Sequence, residues 1–147
     1  MRISAHGLAV DAPSGWDVQI FRRPAGAGEQ TFPVLHAANF SLPGGRGDYG
    51  AGAVEAMGHR NVFVALVEHD EEAAHTPLFR RDGFPRPAPS DFSPRQLQRP
   101  LPGQCGAQYF FHLKRRAFCL YLVLGSNGRR RQLLQLVDSV LPSVRVA

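Results

Sequence analysis

Between Gln108 and Leu124 two apolar segments meet at Lys114-Arg115-Arg116, the strongest pattern in the chain and one that specifies a β-hairpin with a basic tip. With Leu113 opposite Ala117, the expected register sets Cys119 against Phe111 and leaves Cys105 near Gly125, so the two cysteines do not meet. After Gly125-Ser126-Asn127, residues 129–141 place Leu133, Leu136, Val137, Val140 and Leu141 on one helical stripe, with Arg130, Arg131 and Gln135 opposite. Ser126 or Asn127 is the expected N-cap, and Pro142 stops the helix. A hairpin followed at once by an amphipathic helix implies a sheet with that helix laid on it.

Upstream, Leu8 and Val10 precede Pro13-Ser14-Gly15, and Trp16, Val18 and Ile20 follow it at period two, which predicts a hairpin turning at 11–16. Residues 34–40 form a further strand candidate that ends before Pro43-Gly44-Gly45. Asp48 is placed to cap a short helix near 48–57, although Gly50 and Gly52 each weaken a helix by about 1 kcal/mol relative to Ala. The unbroken apolar run Val62–Val67 reads as a central strand covered on both faces, ended by the acidic stretch Glu68–Glu72. The expected fold class is therefore α+β: one antiparallel sheet of about five to six strands, a C-terminal amphipathic helix packed on it, and a possible short helix near 48–57.

The 147 residues are expected to form a single domain, 1–147, because 44% hydrophobic and 20% charged residues are those of a folding chain and the length suits one core. Seven of the twelve prolines fall between Thr76 and Gln104, so 76–104 reads as one long loop rather than a second domain. The net charge of +5 comes from short, scattered arginine groups, which argues against a nucleic-acid-tracking surface. No apolar run is long enough to span a bilayer, no secretory leader pattern is seen, and two cysteines make no disulfide framework; the expected location is cytoplasmic.

Motifs for catalysis or cofactors do not take shape. His69 and His75 are six apart in a polar turn, which is not zinc-ligand spacing, so no metal is expected. The glycines of 44–52 lack the Gly-Lys-Ser/Thr ending of a phosphate loop and the spacing of a dinucleotide turn, and no cofactor is expected. Cys119, between Phe118 and Leu120, reads as a small buried hydrophobe and Cys105 as the more exposed thiol; no nucleophile with its base can be assigned. The 76–104 loop instead concentrates Phe79, Arg80, Arg81, Phe84, Arg86, Phe92 and Arg95, a combination of apolar area and directional donors suited to gripping a partner, unless the phenylalanines simply pin the loop to the sheet.

The order of these elements, with Ala12-Pro13-Ser14-Gly15-Trp16 after the first strand and a closing helix ending Val137-Asp138-Ser139-Val140-Leu141, resembles the Mog1/PsbP-like α/β/α sandwich superfamily. The resemblance implies an adaptor or accessory subunit, chaperone- or scaffold-like, of a bacterial assembly. On that expectation the chain is a non-catalytic protein-binding module whose contact surface is the 76–104 loop and an open sheet edge, engaging another protein or a second copy of itself. The alternative is a small-molecule-binding protein or enzyme with a pocket between the sheet and the long loop, near His36, His112 and Cys105.

Overall fold

The computed structural model describes residues 1–147. It is an α+β fold, mostly β, with eight strands in two antiparallel sheets rather than five or six in one. The first sheet has the order β1-β2-β8: β1 (Arg2–Ala5) and β2 (Leu8–Asp11) form a hairpin about His6-Gly7, and β8 (Arg145–Val146) adds the end of the chain to β2. The turn expected at 11–16 is therefore no hairpin. Because the outer side of β2 is taken by β8, the chain leaves that sheet through Pro13–Gly15 and starts another with β3 (Asp17–Phe21).

The second sheet runs β3-β4-β5-β7-β6, all antiparallel, with β4 at Val34–Ala38, β5 at Val62–His69, β6 at Cys105–Leu113 and β7 at Arg116–Leu124. The apolar run at 62–67 is central, as its composition requires. Val62, Val64 and Leu66 join Leu120, Leu122 and Leu124 in the main core, while Phe63, Ala65 and Val67 join Tyr121 and Val123 on the opposite face.

Over the main face lie the small sheet and α1 (Arg130–Asp138), which continues into a single 3₁₀ turn at either end. The buried stripe of the helix is Leu133, Leu134, Val137, Val140 and Leu141; Leu136, expected inside, is 38% exposed. The residue facing the sheet is set by how the helix lies across the strands, so the buried arc rotates from the expected one by about one position. Neither Ser126 nor Asn127 caps α1 with its side chain; the 3₁₀ turn at Asn127–Arg129 leads into it instead.

The other face is covered without an α-helix. Leu42, Ala53 and Val54, with Phe40, Tyr49 and Met57, pack there beside Leu97 and Leu101. In place of the helix expected near 48–57 there is one 3₁₀ turn, Val54–Ala56. Gly50 and Gly52 sit at φ +85° and +99°, where no helix can continue, and a Cβ on Gly50 would come within 2.6 Å of the Phe63 ring. The Asp48 carboxylate, freed from capping, pairs with Nε of Arg23 at 2.8 Å.

The hairpin register is one residue tighter than expected. Leu113 pairs with Arg116 across a two-residue turn in which Lys114 and Arg115 both take positive φ, 51° and 66°. Cys119 therefore faces Phe110, not Phe111, and Cys105 faces Leu124. Both cysteines are free and fully buried, which corrects the expectation that Cys105 is the more exposed thiol.

Candidate functional site

The Pro-rich segment 76–104 is an ordered strap. Three of its turns are single 3₁₀ turns that start on proline, Pro77–Phe79, Pro89–Asp91 and Pro94–Gln96, as a residue with fixed φ and no N–H favours. It hydrogen-bonds the outer edge of β6 at two points: His112 N donates to Arg81 O at 2.8 Å and Gly83 N to His112 O, and Ser93 and Gly106 exchange both backbone bonds. The β6 edge is thus bridged near both of its ends, at Gly106 and His112; β3 forms the other edge of this sheet.

The phenylalanines act as pins. Phe79 is buried beside Ala74 and Ala117, with its ring edge-on to Phe110 at 5.6 Å. Phe84, half-buried, meets Phe111 edge-on at 5.2 Å. Phe92 is buried in the main core. The exposed aromatic surface expected of this loop is therefore absent at Phe79 and Phe92, because each ring placed on the sheet contributes on the order of 2 kcal/mol of burial that exposure would forfeit.

The arginines do the opposite. Arg80, Arg81, Arg86 and Arg95 are all exposed, and none is paired with a carboxylate. The carboxylates that flank them are directed at β6. Oδ1 of Asp82 stands 3.6 Å from Nε2 of His112, whose Nδ1–H donates to Phe79 O at 2.6 Å. Asp91 accepts the Tyr109 hydroxyl at 2.7 Å and the Ala88 amide at 3.0 Å. Burial, joined by this bond and the carboxylate charge, pushes the Tyr109 hydroxyl well above the usual phenol range, so it stays a donor. The strap consequently presents four unpaired cations to solvent, while its two carboxylates stand beside side chains of β6.

Where the strap passes the end of α1, a trough of about 590 Å³ opens between Phe84–Pro87 and the segment from Asp138 to Arg145. Its far wall, Leu141–Arg145, was not singled out in the sequence. The only sequence signal there was the short apolar alternation Val144-Arg145-Val146 after Pro142, which marks the closing strand and not a binding wall.

The residues proposed for a catalytic pocket do not converge. His36 lies on β4, fully buried between Phe21 and Phe63; His112 lies near the far end of β6; Cys105 begins β6 and faces the main core. His36 is committed to its neighbours: Nε2–H donates to Asp48 O at 2.6 Å and Nδ1 accepts from Nε of Arg46 at 2.7 Å. Arg46 also donates to Pro43 O at 2.6 Å and to the Gln19 side chain, and lies over the Phe21 ring. Desolvation, against the raising effect of the Asp48 carbonyl, takes the His36 pKa down to about 4. Burial raises both thiols to about 11, so neither cysteine carries the thiolate a nucleophile needs near neutral pH.

A cavity of about 40 Å³ does lie between sheet and strap, among Tyr49, Leu97, Leu101, Gln104 and Tyr121. That volume accommodates about one water molecule, well short of an organic ligand. Gln104 Nε2 donates to Val54 O at 2.8 Å, while its buried Oε1 has no partner. In the acidic stretch after β5, Nε2 of His69 meets the Tyr49 hydroxyl at 3.2 Å while His75 is exposed, so the two histidines are not turned toward a common centre. The chain matches no protein-family model, no curated protein and no solved structure. No helix is long and apolar enough to cross a membrane.

Proposed function

We propose that this protein is a non-catalytic protein-binding module, an adaptor or accessory subunit, whose contact surface is the outer face of the 76–104 strap. The observation that carries the reading is the set of four exposed arginines on that strap, Arg80, Arg81, Arg86 and Arg95, none of which is paired with a carboxylate, while Asp91 is engaged by Tyr109 and Asp82 stands beside His112. Leu78, 59% exposed and two residues from Arg80, supplies an apolar contact next to those donors. The segment is held by its phenylalanines and its bonds to β6, so binding would cost little ordering entropy. The complementary partner is a protein surface rich in carboxylates with an apolar spot for Leu78. The Mog1/PsbP-like resemblance leads to the same class of role.

The test is affinity capture from the native host with the wild-type chain and with a triple variant Arg80→Glu, Arg81→Glu, Arg95→Glu, each first checked for an unchanged melting temperature. A defined partner bound by the wild type and lost by the variant is expected. Equal capture by both, or co-purification of nucleic acid alone, overturns the reading.

A further inference from the structure

The trough beside the strap has a chemistry more specific than general acidity. Its floor is apolar and fixed: Leu141 and Val144 belong to the main core, and Phe84 is packed on Phe111. Its walls include Pro85, Pro87 and Pro142, which lack backbone N–H groups and hold φ rigidly, so the trough keeps its shape without an occupant. Three charged side chains line it, Arg86, Arg145 and Asp138. Arg145 is held in place by donating from Nη1 to Pro142 O at 2.6 Å and to Val144 O at 2.9 Å, which leaves the rest of its guanidinium free for a ligand. Arg86 makes no hydrogen bond or ion pair.

Resting on the protein-binding reading above, we infer that this trough receives a short acidic–apolar segment of the partner protein. A carboxylate of that segment bonds Arg86 and Arg145, and a neighbouring apolar side chain lies on the Phe84–Leu141–Val144 floor. Asp138 selects the class of occupant. A peptide offers it a backbone or side-chain N–H to accept, whereas a nucleic acid, with a phosphate at every step, sets negative charge against it.

The probe is a fluorescein-labelled nine-residue peptide of alternating aspartate and leucine, followed by anisotropy with the full chain at low and moderate salt. The comparison probes are an alternating lysine–leucine peptide and a nine-nucleotide single-stranded DNA. Binding of the aspartate–leucine peptide is expected, weakened about tenfold by Arg86→Glu and by Arg145→Glu and unchanged by Arg131→Glu, which lies on α1 outside the trough. No binding of that peptide, equal binding of either comparison probe, or indifference to both trough substitutions overturns the assignment. Host capture separates this failure from that of the broader reading. A partner lost with the Arg80/Arg81/Arg95 variant but retained with Arg86→Glu and Arg145→Glu sinks the trough alone, and a wild-type chain that captures nothing sinks both.

Discussion

Nδ1 of His36 accepts a hydrogen bond from Nε of Arg46 at 2.7 Å, so the arginine that fastens residues 43–52 over the sheet depends on a neutral imidazole beneath it. Protonating His36 removes that acceptor and sets a buried cation beside the Arg46 guanidinium.

Acid should therefore loosen this latch. With the folded pKa near 4 and the unfolded one near 6.5, the unfolded chain binds the extra proton in that interval. Stability is full above about pH 6.5 and falls by about 3 kcal/mol as the pH drops to about 4. Urea midpoints measured at pH 7.5 and pH 4.5 check this. His36→Gln, which retains a donor and an acceptor, should flatten most of the slope; His69, also lowered by burial, contributes with the same sign and remains. An unchanged slope in the variant would refute the assignment.

Arg116 joins three parts of the chain. It pairs with Glu68 at 2.6 and 3.0 Å and reaches the backbone carbonyls of Gly7 and Ala147 at 3.3 Å, which ties the hairpin tip to both chain ends. Arg116→Ala leaves the Glu68 carboxylate, 9% exposed, without its partner and should cost about 3–5 kcal/mol. Arg116→Lys should recover only part of that, since one ammonium cannot reproduce the fork. Denaturant unfolding of the two variants is the measurement.

Gly125 ends β7 where two backbones nearly touch. An added Cβ would lie 1.9 Å from Gly58 O, and no flexible side chain is there to yield. Gly125→Ala should lose at least about 3 kcal/mol or fail to accumulate as folded protein, read by soluble yield and melting temperature.

Phe92 pins the strap into the main core. Phe92→Ala should cost about 3–5 kcal/mol. Trypsin under native conditions should then cut the Arg95–Gln96 bond sooner than in the wild type, while Leu78→Ala, an exposed control, leaves the cleavage rate unchanged.

The thiols should be silent in the folded state. Cys105 and Cys119 are buried and raised to about 11, so an aromatic disulfide reagent at pH 8 should titrate none until denaturant is added, and then both. Fast labelling of Cys105 in the native protein would contradict its placement at the start of β6.

The strand composition made much of the sheet legible. Continuous apolar runs at 62–67 and 117–124 can only be covered on both sides, and both strands prove central. The amphipathic helix was equally plain in kind, but its buried arc was not, because Leu134 and Leu136 are chemically alike and only the angle of α1 on the sheet chooses between them. Lys114 and Arg115 carry no glycine or asparagine to announce a two-residue turn, so the hairpin register, and with it the face of Cys119, stayed hidden.

In the strap, the sequence supplied the ingredients, phenylalanine, arginine and proline in one loop, without their directions. Local composition determines that such a segment cannot be helix or central strand. Only the tertiary structure decides that Phe79 and Phe92 turn in, that Arg80, Arg81, Arg86 and Arg95 stay out, and that Arg145, some sixty residues away, completes the trough. The physical reason is that burial and ion pairing are properties of what lies across the gap. For this chain those neighbours are strand β6 and the two residues that close the small sheet, far from the strap in sequence.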